Sequence, residues 1–269
     1  MHRLVTVRAM IYGILLLALF AGASQHIWGQ EQTFPSPSTT DILGAKDAGA
    51  ISEVTAHLQA VAVSAWEDLE ATGTLTFPAG DTHSAELYLL GSESSRLDIT
   101  MDSGTRSVRL RAAQGKFQNE SGDQSFLLPK TSRTGLVAFP LLWANPIKSP
   151  YVSLIDRGVH VANGRTLHRI TLEYPVAPGR FNQGDPTVAT DLYFDPSSHF
   201  LLFSVDAQVF ANSPGQTFLR VISYAGYRQF NGIFVPTTIG QTLNGQQQWN
   251  LQLSQVTVNS NPPLNTFSF

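Results

Sequence analysis

Leu201-Leu202-Phe203-Ser204-Val205-Asp206-Ala207-Gln208-Val209 is the stretch on which the fold turns. Leu201, Phe203, Val205, Ala207 and Val209 alternate with Leu202, Ser204, Asp206 and Gln208, which predicts a strand with one buried and one wet face. The same period of two recurs on both sides. Leu97, Ile99 and Met101 alternate with Arg96, Asp98 and Thr100, and Val108 and Leu110 with Arg109 and Arg111. Ile170, Leu172 and Tyr174 repeat it, as do Trp249, Leu251 and Leu253. There the phase slips, because Val256 and Val258 are the next apolar pair, and the slip predicts a bulge near Ser254. Asn163-Gly164, Asn231-Gly232 and Asn244-Gly245 each separate two such runs. Type I′ hairpin turns need positive φ at both central residues, which Asn and Gly tolerate best. Asp102-Ser103-Gly104 and Asp195-Pro196-Ser197-Ser198 are further turns. Strands this closely spaced leave no room for crossover helices, which excludes a doubly wound α/β fold.

One helix precedes the strands. Ile51, Val54, Leu58, Val61 and Ala65 fall at steps of three and four, an amphipathic stripe with Glu53 and Gln59 turned outward and Asp47 placed to cap its start. A second departure from the period of two is Leu136-Val137-Ala138-Phe139-Pro140-Leu141-Leu142-Trp143, apolar nearly all round. Pro140 denies it a central strand, so it reads as a short buried helix or an apolar loop, either a core plug or a lid.

Before the helix, Arg3 and Arg8 lead into an apolar run over 11–20, and Ala21-Gly22-Ala23 follows. Basic, apolar and small residues in that order read as a signal peptide, 1–23 or extending to 29, with an uncleaved anchor as the alternative. Residues 24–46 contain Thr33-Phe34-Pro35-Ser36-Pro37-Ser38-Thr39-Thr40 and read as a flexible linker, leaving 47–269 as one domain. Charged residues make up only 14% of the 269, the formal net charge is −3, and there is no cysteine. That balance offers nothing to nucleic acid, and disulfides, thiolate metal sites and cysteine catalysis are excluded.

The sequence holds no G-x-S-x-G elbow, no P-loop and no G-x-G-x-x-G, so the common nucleophile and phosphate frames are absent. His57, His83, His160, His168 and His199 stand apart, without H-x-H or H-E-x-x-H spacing, and no metal or cofactor is expected. His160 and His168 flank Asn163-Gly164 and could face each other. Glu86, Asp98, Asp191 and Asp206 sit within strand patterns, solvent-facing or ion-paired. Arg96, Arg106, Arg109 and Arg111 form the one basic cluster, either the wet face of a hairpin with Asp98 as partner or a rim for an anionic group. An outer-membrane barrel is disfavoured by Pro262-Pro263 in what would be its last strand.

The element order carries a resemblance. The helix, then Thr72-Gly73-Thr74-Leu75-Thr76-Phe77, then Ala85-Glu86-Leu87-Tyr88-Leu89 leading to Ser95-Arg96-Leu97-Asp98, resembles the periplasmic lipoprotein carriers LolA and LolB. Thr190-Asp191-Leu192-Tyr193-Phe194-Asp195, Tyr224-Ala225-Gly226-Tyr227-Arg228 and the ending Pro263-Leu264-Asn265-Thr266-Phe267-Ser268-Phe269 are similar to that superfamily's late strands and tail. The resemblance implies a mainly β fold, an incomplete antiparallel β-barrel covered by the N-terminal helix and the short apolar helix or loop. It implies an apolar interior that receives acyl chains, and it matches Arg96 to the arginine that matters for cargo release in the carrier. The chain is thus expected to be an exported, non-enzymatic monomer, periplasmic or secreted, that binds a lipid, an acyl chain or a lipidated protein. The expected ligand-binding residues are Leu87, Leu89, Leu97, Ile99, Val108, Leu110, Leu136, Phe139, Leu142, Trp143 and Leu251. The alternatives are an envelope module with a filled barrel, or a carboxylate-based hydrolase on an all-β scaffold.

Overall fold

The computed structural model describes residues 34–38, 44–91, 94–111, 114–119, 122–127, 148–162, 164–175, 187–209 and 216–268. Within them, helix α1 (Ala48–Ala60) precedes thirteen strands. These are β1 (Asp68–Thr76), β2 (Thr82–Leu90), β3 (Ser94–Met101), β4 (Gly104–Arg111), β5 (Gln114–Asn119) and β6 (Gly122–Leu127). There follow β7 (Ser153–Ala162), β8 (Arg165–Pro175), β9 (Thr187–Phe194), β10 (Leu201–Val209), β11 (Thr217–Phe230), β12 (Ile233–Leu243) and β13 (Gln246–Val258). They form one sheet in the order β6-β5-β4-β3-β2-β1-β13-β12-β11-β10-β9-β8-β7. Each wing, β1–β6 and β7–β13, is a meander of consecutive antiparallel strands, and the two join where β1 pairs with β13. Among the described residues β6 and β7 do not pair, so the sheet is an incomplete barrel, mainly β with little helix.

The turn chemistry follows the sequence. Asn231-Gly232 and Asn244-Gly245 both take positive φ at their two central positions, at 49° and 85° and at 48° and 77°. The bulge falls at Ser254: Thr72 pairs with Gln255 and Gly73 with Leu253, leaving Ser254 without a partner in the ladder. Its Oγ donates to the carbonyl of Thr72.

The face α1 packs on, the inner face, carries the main core. Ala50, Val54 and Leu58 of α1 are buried there with Leu69, Leu87, Leu97, Leu154, Ile170, Leu251 and their neighbours. The expected stripe ends sooner than its spacing suggested. Val61 is buried as the C-cap, whereas Ala65 lies exposed in a 3-10 turn, Val63–Ala65. Asp47 occupies the N-cap position without capping, because its carboxylate instead accepts from the backbone N–H of Asp156. Gln59 is exposed as expected, but Glu53 is not: it is buried at 7%.

The strand that decided the fold is present, with its faces reversed. Leu201 pairs with Phe194 and Phe203 with Tyr193, so Leu202 is an extra residue and the alternation changes phase there. Leu201 faces the main core, while Phe203 and Val205 point to the outer face. There they meet Tyr193, Val221 and Phe34, which belongs to the stretch read as a linker yet is itself buried. Ser204 and Asp206, expected on the wet side, are buried on the inner face. Both parities of the strand are covered, a condition under which alternation no longer reports which side is inside.

Candidate functional site

Register lines the inner face of one wing with apolar rows running across the strands. Val258, Leu69, Leu89, Ser95 and Leu110 form one row, and Val256, Ala71, Leu87, Leu97 and Val108 the next. Leu253, Gly73, Ala85, Ile99 and Arg106 form a third, and Leu251 stands opposite Leu75 beyond it. Leu87, Leu89, Leu97, Ile99, Leu110 and Leu251, expected to bind ligand, are therefore gathered on one buried surface, with Val108 half-buried among them. Leu136, Phe139, Leu142 and Trp143 lie outside the described residues. The 20 residues that include them, 128–147, separate β6 from Lys148, and β6 and β7 are the two edges of the sheet.

Arg96 points the other way. It alternates with Leu97 and sits on the outer face, where its Nε donates to both oxygens of Asp98 at 2.9 and 2.8 Å. Ser107 donates to the same carboxylate at 2.5 Å. Arg96 Nη1 donates to the carbonyl of Thr266 at 3.1 Å and Arg109 Nη1 to that of Ser268 at 2.9 Å. The arginines thus clamp the C-terminal tail to β3 and β4, burying Phe267. A polar hollow of about 340 Å³ lies beside them, lined by Glu86, Arg96, Asp98, Thr100, Thr105, Ser107 and Arg109. The strand carboxylates, left open between solvent and ion pairs, divide: Glu86 is exposed, and Asp98, Asp191 and Asp206 are buried against Arg96, Arg169 and Arg220.

The histidines hold the arrangement that sequence reading missed. His160 and His168 do not face each other: His160 lies opposite Leu167 and His168 opposite Val159, on different faces of the hairpin. His160 packs on the outer face against Tyr193 at 5.3 Å between ring centroids. His168 instead meets α1. Its Nδ1 lies 2.9 Å from Glu53 Oε2 and its Nε2 2.8 Å from Asp156 Oδ1. The other oxygen of Glu53 is 2.9 Å from Nδ1 of His199, in the turn between β9 and β10. One turn along α1, His57 Nδ1 donates to the backbone carbonyl of His199 at 2.8 Å. His199 takes a φ of 57°, the left-handed region uncommon for a residue with a Cβ. One buried carboxylate thus ties the helix to β8 and to the β9–β10 turn.

The charges follow from the geometry. Burial pulls His57 down to about 4, so it is neutral near pH 7, and its Nε2 is buried without a partner. Burial acts downward on His168 too, but hydrogen bonds to Glu53 and Asp156 outweigh it and raise its pKa. Burial would raise Asp156, yet the bonds from His168 and from the Gly158 N–H outweigh that and lower it. Nothing in the sequence spacing signals this set, since Glu53 stands 115 residues before His168 and 146 before His199. Among the described residues no group of three or more His, Cys, Asp or Glu is arranged to hold a metal ion. None of the helices among them is long and apolar enough to cross a membrane.

No family model matches the chain, and no curated protein matches it in sequence. Solved structures share its fold. A LolA superfamily protein from Nitrosomonas europaea superposes with a TM-score of 0.52 at 13% identity, covering 79% of this chain and 94% of that one. A DUF1329 family protein from Desulfovibrio piger gives 0.50 at 11% identity, covering 80% and 95%. At these identities the likeness is one of fold, distant and spread over most of both chains.

Proposed function

We propose that this chain is an exported, non-enzymatic carrier or binding protein for a hydrophobic ligand, an acyl chain, a lipid or a lipidated protein. It works as a monomer in the periplasm or outside the cell after loss of residues 1–23. The observation that carries the reading is topological: the two edges of the open sheet are consecutive strands, β6 and β7. The chain between them therefore links the two lips of the barrel, and its middle is the apolar stretch 136–143. An acyl chain lodged between that stretch and the rows of Leu87, Leu89, Leu97, Ile99, Val108, Leu110 and Leu251 leaves water at about 25 cal/mol per Å² of apolar surface. No covalent chemistry is required of such a site. The shared fold with a LolA superfamily protein supports the reading.

Trp143 provides the test, because an indole changes its emission as water leaves its surroundings. Fatty acid or detergent monomer added to the purified protein shifts the emission to the blue, saturably. Trp28, Trp66 and Trp249 also emit, so Trp143→Phe removes most of the change. Leu142→Asp weakens binding, because a charge must be desolvated beside the chain. Absence of any saturable shift, with tight hydrogen-exchange protection over 136–143, would assign the stretch to a filled core and the protein to a structural role in the envelope.

A further inference from the structure

We propose that α1 is latched to the sheet by a proton on His168, so that docking of the helix is governed by pH. The donors at His168 require that proton. Both nitrogens of His168 stand within hydrogen-bond distance of a carboxylate oxygen, Glu53 on one side and Asp156 on the other. A carboxylate only accepts, so satisfying both requires a hydrogen on each ring nitrogen, which is the imidazolium. A neutral ring leaves a lone pair facing one of the two carboxylates. Glu53 is buried, so the repulsion acts where water screens it poorly.

The groups around the latch are few. From α1 come Glu53 and His57, with Asp47 just before the helix bound to the backbone of Asp156. The β9–β10 turn supplies His199 to the second oxygen of Glu53. Asp195, in the same turn, is engaged by the N–H groups of Ser197 and Ser198. From β7 come Asp156 and Arg157, the latter turned to the outer face by Thr171 and Glu173. From β8 comes Arg169, also outward and paired with Asp191. Among the described residues these contacts bring no arginine to Glu53, and His168 and His199 bind its two oxygens. The left-handed backbone at His199 is a strained conformation of the kind that persists where surrounding contacts demand it.

The sign follows. A histidine whose folded-state pKa lies above its ordinary value, about 6.5, lends its full support below that value. The support is lost as pH rises through the folded pKa. Deprotonation therefore loosens α1 from β8, leaving only the His199 and His57 contacts to the β9–β10 turn, and more frequent opening of the helix uncovers the inner face where Val54 and Leu58 had been buried. What then enters is a matter for the carrier reading; the latch itself needs no ligand.

The test uses the full chain without lipid, so its failure and that of the carrier reading are separately visible. Imidazole nitrogen shifts in labelled protein show both His168 nitrogens protonated at pH 6, with a titration midpoint above 6.5. Hydrogen exchange at residues 48–60, corrected for the intrinsic rate, gives an opening constant that rises by up to tenfold per pH unit above 6.5 and then levels. Amides of β12 show no such rise. His168→Gln abolishes the rise, whereas Val54→Ala increases opening equally at every pH. A bare nitrogen on His168 at pH 6, or a helix opening constant indifferent to pH in the wild type, would overturn the proposal. Should His168→Gln not fold, the wild-type nitrogen titration decides by the same two outcomes.

Discussion

Gly49 lies in the first turn of α1, against the carboxylate that completes the latch, and replacing it with alanine sets two effects against each other. Alanine is better than glycine in a helix by about 0.5–1 kcal/mol. A Cβ at this position, however, would stand 2.1 Å from Asp156 Oδ2 and 3.1 Å from its Cγ. That is closer than atoms tolerate, so the carboxylate has to turn. In turning it gives up His168 Nε2 at 2.8 Å and the Gly158 N–H at 2.7 Å. Hydrogen bonds to a charged group are worth about 1.5–3 kcal/mol each, and the lower figure applies here because Asp156 is partly exposed. Two such bonds at the lower figure, less the helix gain, mean that Gly49→Ala is expected to destabilise the protein by about 2–2.5 kcal/mol. In an Asp156→Ala background the obstacle is gone, and the same substitution is expected to stabilise by about 0.5–1 kcal/mol. Urea unfolding of the four proteins at pH 7, compared by midpoint at unchanged slope, completes the cycle. An alanine that stabilises both backgrounds alike would show that Asp156 is not fixed by His168, and the reasoning would fail.

Two further outcomes are expected from buried charge. His57 has its pKa depressed to about 4, so its contribution to stability is present above pH 6.5 and lost as pH falls toward 4, about 3 kcal/mol in all. His57→Leu should remove that portion of the acid slope in a series of urea midpoints from pH 7 to 4, and an unchanged slope would place the loss elsewhere. Arg220→Ala removes the guanidinium paired with the carboxylate of Asp206, 5% exposed on the inner face, and should cost about 3–5 kcal/mol. Replacing both by leucine should recover most of it; a double variant as unstable as the single would contradict this account.

Where one side of a strand is wet, the chain could be read residue by residue. Leu97, Ile99 and Val108 alternate with residues that do face outward, and the phase slip at Ser254 is a real bulge because Leu251, Leu253, Val256 and Val258 all answer to one core. Leu201–Val209 defeated the same rule. Its outer side is covered by Phe34, more than 160 residues earlier, and a one-residue slip at Leu202 exchanged the faces behind a pattern that still looked regular. The apolar wall was legible because hydrophobicity is a property of single residues. The Glu53, His168, His199 and Asp156 set was not, because it exists only once α1 lies across β7 and β8. A glutamate on a helix is ordinarily wet, and nothing local to Glu53 announces the two imidazoles that make its burial affordable.

The seam between β1 and β13 has a consequence for how the protein is made. Each wing pairs only neighbours in sequence, so its hairpins can form as they leave the ribosome. β1 alone must wait for a strand at the far end of the chain, since Leu69 pairs with Val258. Until then β1 is an open border, with Leu75 and Ala71 uncovered and its amides available to any passing strand. Joining ends so far apart is slow, and exposure during that interval favours misassembly. Truncation of β13 by a few residues should therefore harm yield far more than its share of the core would suggest, because this strand follows the other twelve described and closes the sheet at its middle.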